Sequence, residues 1–199
     1  MTYRIAFTGV HGSGKSITAE ELARALSKKY GYKVLVVELE AIEDEVVKRG
    51  SHDERQLYFI SKFTMQYLYH YYDNYDYILY TSYPMVTIPY TEYWCKDNIS
   101  LIVYSFITWL VPPPNLIVHL RVSLPRDYEM LRQRIMSRYG RDKGEELNAE
   151  YIGFVAKKLE KYVRSYAKRN NVEMIEIPAR LDVNERVQKI MEYIQEVTK

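Results

Sequence analysis

The sequence contains very little cysteine, and this scarcity excludes several classes of protein. The single cysteine, Cys95, cannot form a disulfide within the chain or a thiolate metal cluster. A secreted scaffold stapled by disulfides is therefore excluded. We expect a reducing compartment, which makes the protein cytoplasmic.

A marked excess of charge and a long apolar run are also lacking. Lys and Arg number 28 and Asp and Glu 26, so the formal net charge is only +2, and we expect no nucleic acid among the partners. The most apolar stretch, residues 99–111, ends at three prolines and is shorter than the ~20 residues of a membrane-spanning helix. We therefore expect no membrane partner. Met1 leads almost directly into a predicted strand, without a cleavable signal segment, so we expect the chain to begin there.

The chain does contain a regular alternation of short apolar runs and helical patterns. Runs typical of strands occupy residues 3–8, 33–37, 77–80, 116–120 and 173–177. Helical patterns are predicted at about 15–30, 53–72, 125–137 and 149–170, and after Asp182, which forms a capping box with Glu185. This order predicts an α/β fold with a doubly wound, five-stranded parallel sheet, in which ligands bind at the carboxyl ends of the strands. The 199 residues fit one domain.

One charged segment lies outside this alternation. Residues from about 138 to 147 contain two glycines and many charges between two predicted helices. We expect them to form an exposed, mobile loop, and therefore a small lid.

Tyrosine is unusually frequent, with 21 residues in the chain, many of them within residues 58–93. We expect that region to hold a wet, aromatic surface. The tyrosines could stack on a base, line a subunit interface or simply face a half-wet core.

Residues 9–16, GVHGSGKS, match the pattern G-x-x-x-x-G-K-[ST] between a predicted strand and a predicted helix. This context is that of a phosphate-binding loop. The glycines let backbone N–H groups turn around an anion, Lys15 places a positive charge on the β- and γ-phosphates, and the Ser16 hydroxyl is positioned to ligate Mg²⁺. A glycine-rich turn without a ligand would not explain Lys15 followed by Ser16. We therefore predict that ATP or GTP binds at Gly9, His11, Gly12, Ser13, Gly14, Lys15 and Ser16.

Phosphoryl transfer also requires cations around the migrating group, and three arginines are candidates. Arg134 and Arg138 are four residues apart on one predicted helix, and Arg141 follows in the expected lid. They could close over a triphosphate. The alternative is a solvated basic end of a helix, which the helix dipole favours.

The acceptor needs a carboxylate, and two glutamates follow the second predicted strand. Glu38 and Glu40 lie on the same side of the chain if that strand continues. Either could hold Mg²⁺ through water or act as the base for an acceptor hydroxyl. We place Glu38 with the metal and Glu40 with the acceptor. A solvated strand end is the alternative for both.

Four stretches of the sequence resemble the thymidylate kinase and deoxynucleoside kinase branch of the P-loop nucleoside monophosphate kinase-like proteins. They are residues 7–16, 75–90, 114–120 and 134–146. The resemblance implies a five-stranded core, ATP as phosphoryl donor, a nucleoside or nucleotide acceptor and a homodimer. By position it also implies that Tyr83 and Tyr90 contact the acceptor. We expect the dimer to form through the helix at 53–72, including Phe59, Phe63 and Tyr67, and through residues 99–111.

The chain departs from the family at charged positions. Thr81 and Ser82 stand where the family has Asp-Arg, and Phe63 stands about where thymidylate kinases have an acceptor-binding arginine. The acid-proline pair after the second strand becomes Glu40 and Ala41. We therefore expect altered acceptor specificity, with Phe63 among the acceptor-binding residues.

Three functions remain open from the sequence. The leading hypothesis is an ATP-dependent kinase of nucleosides or nucleotides. The second is a nucleotide-binding regulatory or interaction protein that uses the tyrosine-rich region as a partner surface. The third is a P-loop kinase of a small non-nucleotide alcohol.

Overall fold

The computed structural model describes residues 2–38, 49–95, 101–102, 105, 108–139 and 147–197. Its strands form one parallel sheet in the order β2-β3-β1-β4-β5. The strands are β1 (Tyr3–Thr8), β2 (Val34–Val37), β3 (Tyr77–Tyr80), β4 (Leu116–Arg121) and β5 (Glu173–Pro178). The predicted five-stranded α/β fold is confirmed. Since β1 is central, the loop that follows it opens at the middle of the sheet's carboxyl edge.

Helices cover both faces of this sheet. They are α1 (Lys15–Tyr30), α2 (His52–Tyr71), a 3₁₀ turn (Pro84–Thr87), α3 (Ile88–Trp94), α4 (Tyr128–Tyr139), α5 (Ala149–Asn170) and α6 (Val183–Val197). None of the helices within the described residues is long and apolar enough to cross a membrane.

Alternation along the central strand divides the core between the two faces. Ile5 and Phe7 pack with residues of α1 and α6, whereas Ala6 packs with residues of α2 and α5. Both sets are fully buried. This explains why the strand is an almost continuous apolar run rather than an alternating one.

Local signals account for the helix ends that frame the site. Gly31 adopts φ 71° and its N–H donates to Ser27 O at 2.9 Å, which terminates α1. At α6, the Glu185 carboxylate accepts from the Asp182 N–H at 2.9 Å, as in the predicted capping box. The Asp182 side chain, however, accepts from Asn184 N–H instead of Glu185 N–H.

The structure corrects the start of one predicted helix and adds two short helical elements that were not predicted. Helix α4 begins at Tyr128 rather than at Pro125, because residues 124–127 form a turn in which the Asp127 carboxylate accepts from the Ser123 N–H at 2.7 Å. The 3₁₀ turn and α3, which contain Pro84 and Pro89, were not predicted. Both prolines occupy initial helical positions, where the missing N–H costs nothing.

The wet aromatic surface expected within residues 58–93 is only partly present. Tyr67, Tyr80 and Tyr83 are each about 1% exposed, because α2 and the segment after β3 pack against the sheet. Tyr69 and Tyr72 are largely exposed. The region therefore supplies both a tyrosine core and a smaller exposed stripe.

Candidate phosphate-binding site and adjoining cleft

The loop between β1 and α1 has a backbone that only glycine fits at two of its positions. Gly9 has φ 149°, and a Cβ there would lie 2.6 Å from Ser13 Oγ and 3.0 Å from the Leu120 carbonyl oxygen. Gly14 has φ 92°, and its Cβ would lie 2.6 Å from Arg186 Nη1. Residues that carry a side chain rarely adopt these backbone conformations, so the geometry requires glycine at both positions.

The start of α1 leaves backbone donors for an anion. Gly14 occupies the N-cap without a side-chain hydrogen bond, and the first turn holds no acidic residue. The N–H groups and the positive end of the helix dipole are therefore not satisfied by a local carboxylate. The Ser13 hydroxyl is fully buried and has no hydrogen-bond partner among the described residues. This arrangement suits a phosphate group.

Lys15 lies across the loop rather than extending into solvent. Its Nζ donates to the carbonyl oxygens of Gly9 at 2.9 Å and Val10 at 3.1 Å. Ser16 is half-buried next to it in the first turn of α1. The loop therefore brings an ammonium group and a hydroxyl to the mouth of the same cradle.

The Arg134 side chain reaches the phosphate loop from α4. Its Nη1 lies 3.1 Å from the Ala179 carbonyl oxygen and 3.5 Å from that of Gly12. Burial lowers the pKa of Arg134 below the usual value, and the Asp127 carboxylate opposes this shift. Arg138 belongs to the same helix, whereas Arg141 lies outside the described residues.

A buried histidine stands behind the loop. His119 lies in β4 opposite Thr8, the last residue of β1, and pairs its Nδ1 with Thr8 Oγ1 at 2.9 Å. Burial lowers the pKa of His119 to about 4, although the Glu176 carboxylate favours the charged form. The imidazole is therefore neutral at neutral pH and supports the end of β1.

A second cleft opens beside the loop at the carboxyl ends of β2 and β3. It is narrow: the space of about 190 Å³ between its side chains includes open solvent and has no room for an enclosed water molecule. All of its lining side chains are uncharged: Val37, Phe63, Gln66, Tyr67, Tyr80 and Ser82. The hydroxyl of Tyr67 has no hydrogen-bond partner within the part of the chain that is described, and burial raises the pKa of this phenol. The uncharged, largely aromatic lining suits a flat, neutral group, for which the cleft must first widen.

The structure places the three aromatic residues predicted at the acceptor in different surroundings. Phe63 lines the cleft, and Tyr90 meets the ring of His11 edge-on with centroids 5.1 Å apart. Tyr83 instead lies in the core, where its hydroxyl is 2.6 Å from that of Tyr166. Tyr83 is therefore not placed to contact a ligand in this conformation.

Only one of the two glutamates predicted at the end of β2 lies within the described residues. Glu38 directly follows β2 and is half-buried. Glu40 lies outside the described residues, as does most of the expected lid. The roles assigned to both glutamates remain predictions.

Sequence reasoning missed Arg186, which contacts the back of the phosphate loop. Its Nη1 lies 2.7 Å from Thr18 Oγ1, and the residue is about 3% exposed. A signal was present in the spacing, because Arg186 precedes the apolar residues Ile190 and Ile194 by four and eight positions. That spacing puts Arg186 on the buried face of α6.

The chain was also compared with known proteins. No protein-family model and no curated protein matches it. It is similar to the structure of deoxyadenosine kinase from M. mycoides with bound dATP, with 19% identity, a TM-score of 0.69 and coverage of 96% of this chain and 99% of that one. The same kinase with bound dCTP gives 22% identity, a TM-score of 0.66 and coverage of 97% and 99%. A thymidylate kinase from Ehrlichia chaffeensis gives 18% identity, a TM-score of 0.64 and coverage of 97% and 98%.

These likenesses establish the fold. The chain has the P-loop nucleoside monophosphate kinase-like fold, and the resemblance drawn from its motifs is confirmed at that level.

Proposed function

We propose that this protein is an ATP-dependent phosphotransferase that acts on a nucleoside or nucleotide. The observation that carries the proposal is the position of two sites at one edge of the sheet. A glycine-shaped anion cradle follows β1, and an uncharged aromatic cleft lies at the ends of β2 and β3. A donor and an acceptor bound there would face each other, as phosphoryl transfer requires. The single cysteine favours a cytoplasmic setting.

The residues of the cradle fit ATP and Mg²⁺. The uncapped start of α1 and the close backbone at Gly9 and Gly14 suit phosphate oxygens. Within the described residues, no group of three or more acidic, histidine or cysteine side chains could hold a metal ion. Mg²⁺ would be held by Ser16 and Glu38 together with phosphate oxygens, and would neutralise charge on the transferred group. Arg134 and Arg138 would approach that group from α4, and Arg141 from the expected lid that follows this helix.

The adjoining cleft supports an uncharged acceptor. The similar structures include a deoxyadenosine kinase with bound dCTP and dATP, and the cleft here is lined by Phe63, Gln66 and neutral tyrosines. Phe63 would stack on a base, while Tyr90 would pack on the acceptor from α3. Glu40 would accept the proton of the attacking hydroxyl. The proposed acceptor is therefore a nucleoside rather than a nucleoside monophosphate.

The size of the cleft adds one requirement. In this conformation its side chains leave no room for a water molecule, whereas typical ligand pockets hold roughly 300–1,000 Å³. A nucleoside must therefore move the wall between α2 and β3 outward as it binds. We expect acceptor binding to be accompanied by a conformational change in α2.

The homodimer expected from the sequence is also part of this proposal, with a correction to its contact residues. Tyr67 lies in the core and Phe63 in the cleft, so neither is free for a subunit contact. Three other large side chains of α2, together with Tyr72 directly after it, form an exposed stripe at helical spacing: Met65, Leu68, Tyr69 and Tyr72. A contiguous apolar stripe of this kind is costly to leave in water.

A nucleotide-binding regulatory protein is the second candidate, and the same exposed stripe favours it. Thr81 and Ser82 provide no carboxylate or arginine at the end of β3, and the stripe offers a surface for a protein partner. Such a protein would bind ATP without transferring its phosphoryl group.

A panel assay separates the two candidates. Purified protein, ATP and Mg²⁺ are incubated with each nucleoside, each nucleoside monophosphate and a small alcohol such as glycerol, and ADP is measured. The proposal predicts ADP formation that depends on a nucleoside. ATP binding without ADP formation in any reaction would favour the regulatory protein, and a response to glycerol alone would favour the kinase of a non-nucleotide alcohol.

A further inference from the structure

Arg186 is a buried cation that lies against the back of the phosphate loop. It occupies the first turn of α6, and about 3% of its surface is exposed. Nη1 lies 2.7 Å from Thr18 Oγ1 and 3.4 Å from the carbonyl oxygens of both Ser13 and Gly14. Nε donates to the Leu181 carbonyl oxygen at 3.0 Å.

These contacts help to fix the direction in which the loop presents its donors, together with Thr18, whose N–H and hydroxyl donate to the Gly14 carbonyl oxygen at 3.1 and 2.7 Å. In a trans peptide the C=O and the following N–H point in opposite directions. Holding the carbonyls of Ser13 and Gly14 toward Arg186 therefore turns the N–H groups of Gly14 and Lys15 toward the front of the loop. Those N–H groups open into the anion cradle, so the guanidinium acts on the cradle through the peptide planes.

The charge of Arg186 is not neutralised by a close partner. Within the described ranges its polar contacts are carbonyl and hydroxyl oxygens, and none is a carboxylate within 4 Å. Burial, together with the neighbouring Arg134 guanidinium, lowers the pKa of Arg186, and Asp182 only partly opposes this effect. Burying a cation without a counter-ion is energetically unfavourable, and an anion bound nearby reduces that cost.

Close packing ties the arginine to one glycine of the motif. A Cβ on Gly14 would lie 2.6 Å from Nη1 of Arg186. The loop backbone and the guanidinium are therefore in direct contact, with no side chain between them.

We propose that Arg186 is a positioning residue for polyphosphate binding, which holds the Gly14 and Lys15 N–H groups toward the ligand and adds a positive charge behind the cradle. This inference rests on the proposed binding of a nucleotide at the loop. It assigns to α6, near the far end of the chain, a part in the affinity for the donor. The ligand feature it recognises is the polyphosphate, not the base.

The test compares inorganic tripolyphosphate with ATP, each with Mg²⁺, by titration calorimetry. The variants are R186Q, R186K and the control K189Q, which removes a charge from an exposed position of the same helix. Melting temperatures establish that each variant is folded at the temperature of the titration. For R186Q we expect both Kd values to rise by about tenfold or more, because it loses charge-assisted hydrogen bonds. R186K should lie between R186Q and the wild type, and K189Q should change by less than twofold.

The outcomes distinguish this inference from the proposed function. A wild type that binds neither ligand would overturn the nucleotide-binding proposal itself. If the wild type binds both ligands and a folded R186Q binds them with unchanged Kd, only the role of Arg186 is overturned. A purely structural residue would lower the melting temperature and leave the Kd unchanged. If R186Q does not fold, R186K decides: a Kd at least threefold weaker than that of the wild type supports the role, and an unchanged Kd overturns it.

Discussion

Replacing Ser82 with arginine is expected to raise the use of dTMP as an acceptor relative to thymidine. Ser82 lines the cleft at the end of β3 and is half-buried. The other lining side chains carry no charge, and Lys62 is engaged elsewhere, with its Nζ 3.3 Å from Tyr58 Oη. A monophosphate brought into this cleft therefore meets no cation from its lining.

The size of the effect follows from the missing contact. A phosphate carries about −1.5 to −2 charges at neutral pH, and a hydrogen bond to a charged group contributes about 1.5–3 kcal/mol. Ser82 is half-buried, so solvent weakens the new pair, and the lower end of this range applies. About 1.4 kcal/mol of transition-state stabilisation corresponds to a tenfold gain in kcat/KM. We therefore expect Ser82→Arg to raise the ratio of kcat/KM for dTMP to that for thymidine by about tenfold.

The assay measures ADP formation with each acceptor at saturating Mg·ATP. Ser82→Gln is the matched control, because it adds a side chain of similar reach without the charge, and it should leave the ratio within about twofold. The reasoning fails if the wild type already uses dTMP with a kcat/KM of about 10⁴ M⁻¹s⁻¹ or above, which is the ordinary enzyme range. It also fails if Ser82→Arg binds ATP normally and leaves the ratio unchanged.

Two further predictions concern assembly and pH. Light scattering at micromolar concentration should give twice the 23.7 kDa of one chain, and the double variant Tyr69→Glu/Tyr72→Glu should return it to one chain; a wild-type monomer would contradict the dimer. His119 has a folded-state pKa of about 4, below its unfolded value of about 6.5, so the unfolded state binds the proton more readily. The free energy of unfolding should therefore fall by up to about 3 kcal/mol as the pH decreases from 6.5 to 4. Urea unfolding across this range should show a smaller loss for His119→Asn, and equal losses in both proteins would contradict the assignment.

Repeating patterns in the sequence were sufficient to predict the framework of the site. The strand at Tyr3–Thr8, the helix from Lys15 and the stop at Gly31 each depend on local signals, namely an apolar run, helical spacing and a residue that tolerates positive φ. Each of these signals acts on neighbouring residues and does not depend on how distant segments pack. The position of the phosphate loop and the bounds of its strand and helix therefore follow from the sequence alone.

Contacts between distant segments were beyond that reasoning. Arg186 meets Ser13 and Thr18 only because α6 packs beside α1. Tyr83 was expected at the acceptor, yet its hydroxyl pairs with that of Tyr166 on α5. In both cases tertiary packing decided the environment of a side chain whose type is compatible with several environments.

Thermal unfolding with and without Mg·ATP tests most directly whether the loop binds a nucleotide. A ligand at a hundredfold excess over its Kd adds about 2.7 kcal/mol to stability, which corresponds to roughly 5–10 °C for a chain of this size. The wild type and the exposed control Lys28→Ala should show that shift, and Lys15→Ala should lose most of it, because the ammonium at the mouth of the cradle is gone. No shift in the wild type with ATP or GTP at millimolar concentration would contradict the assignment of the phosphate loop.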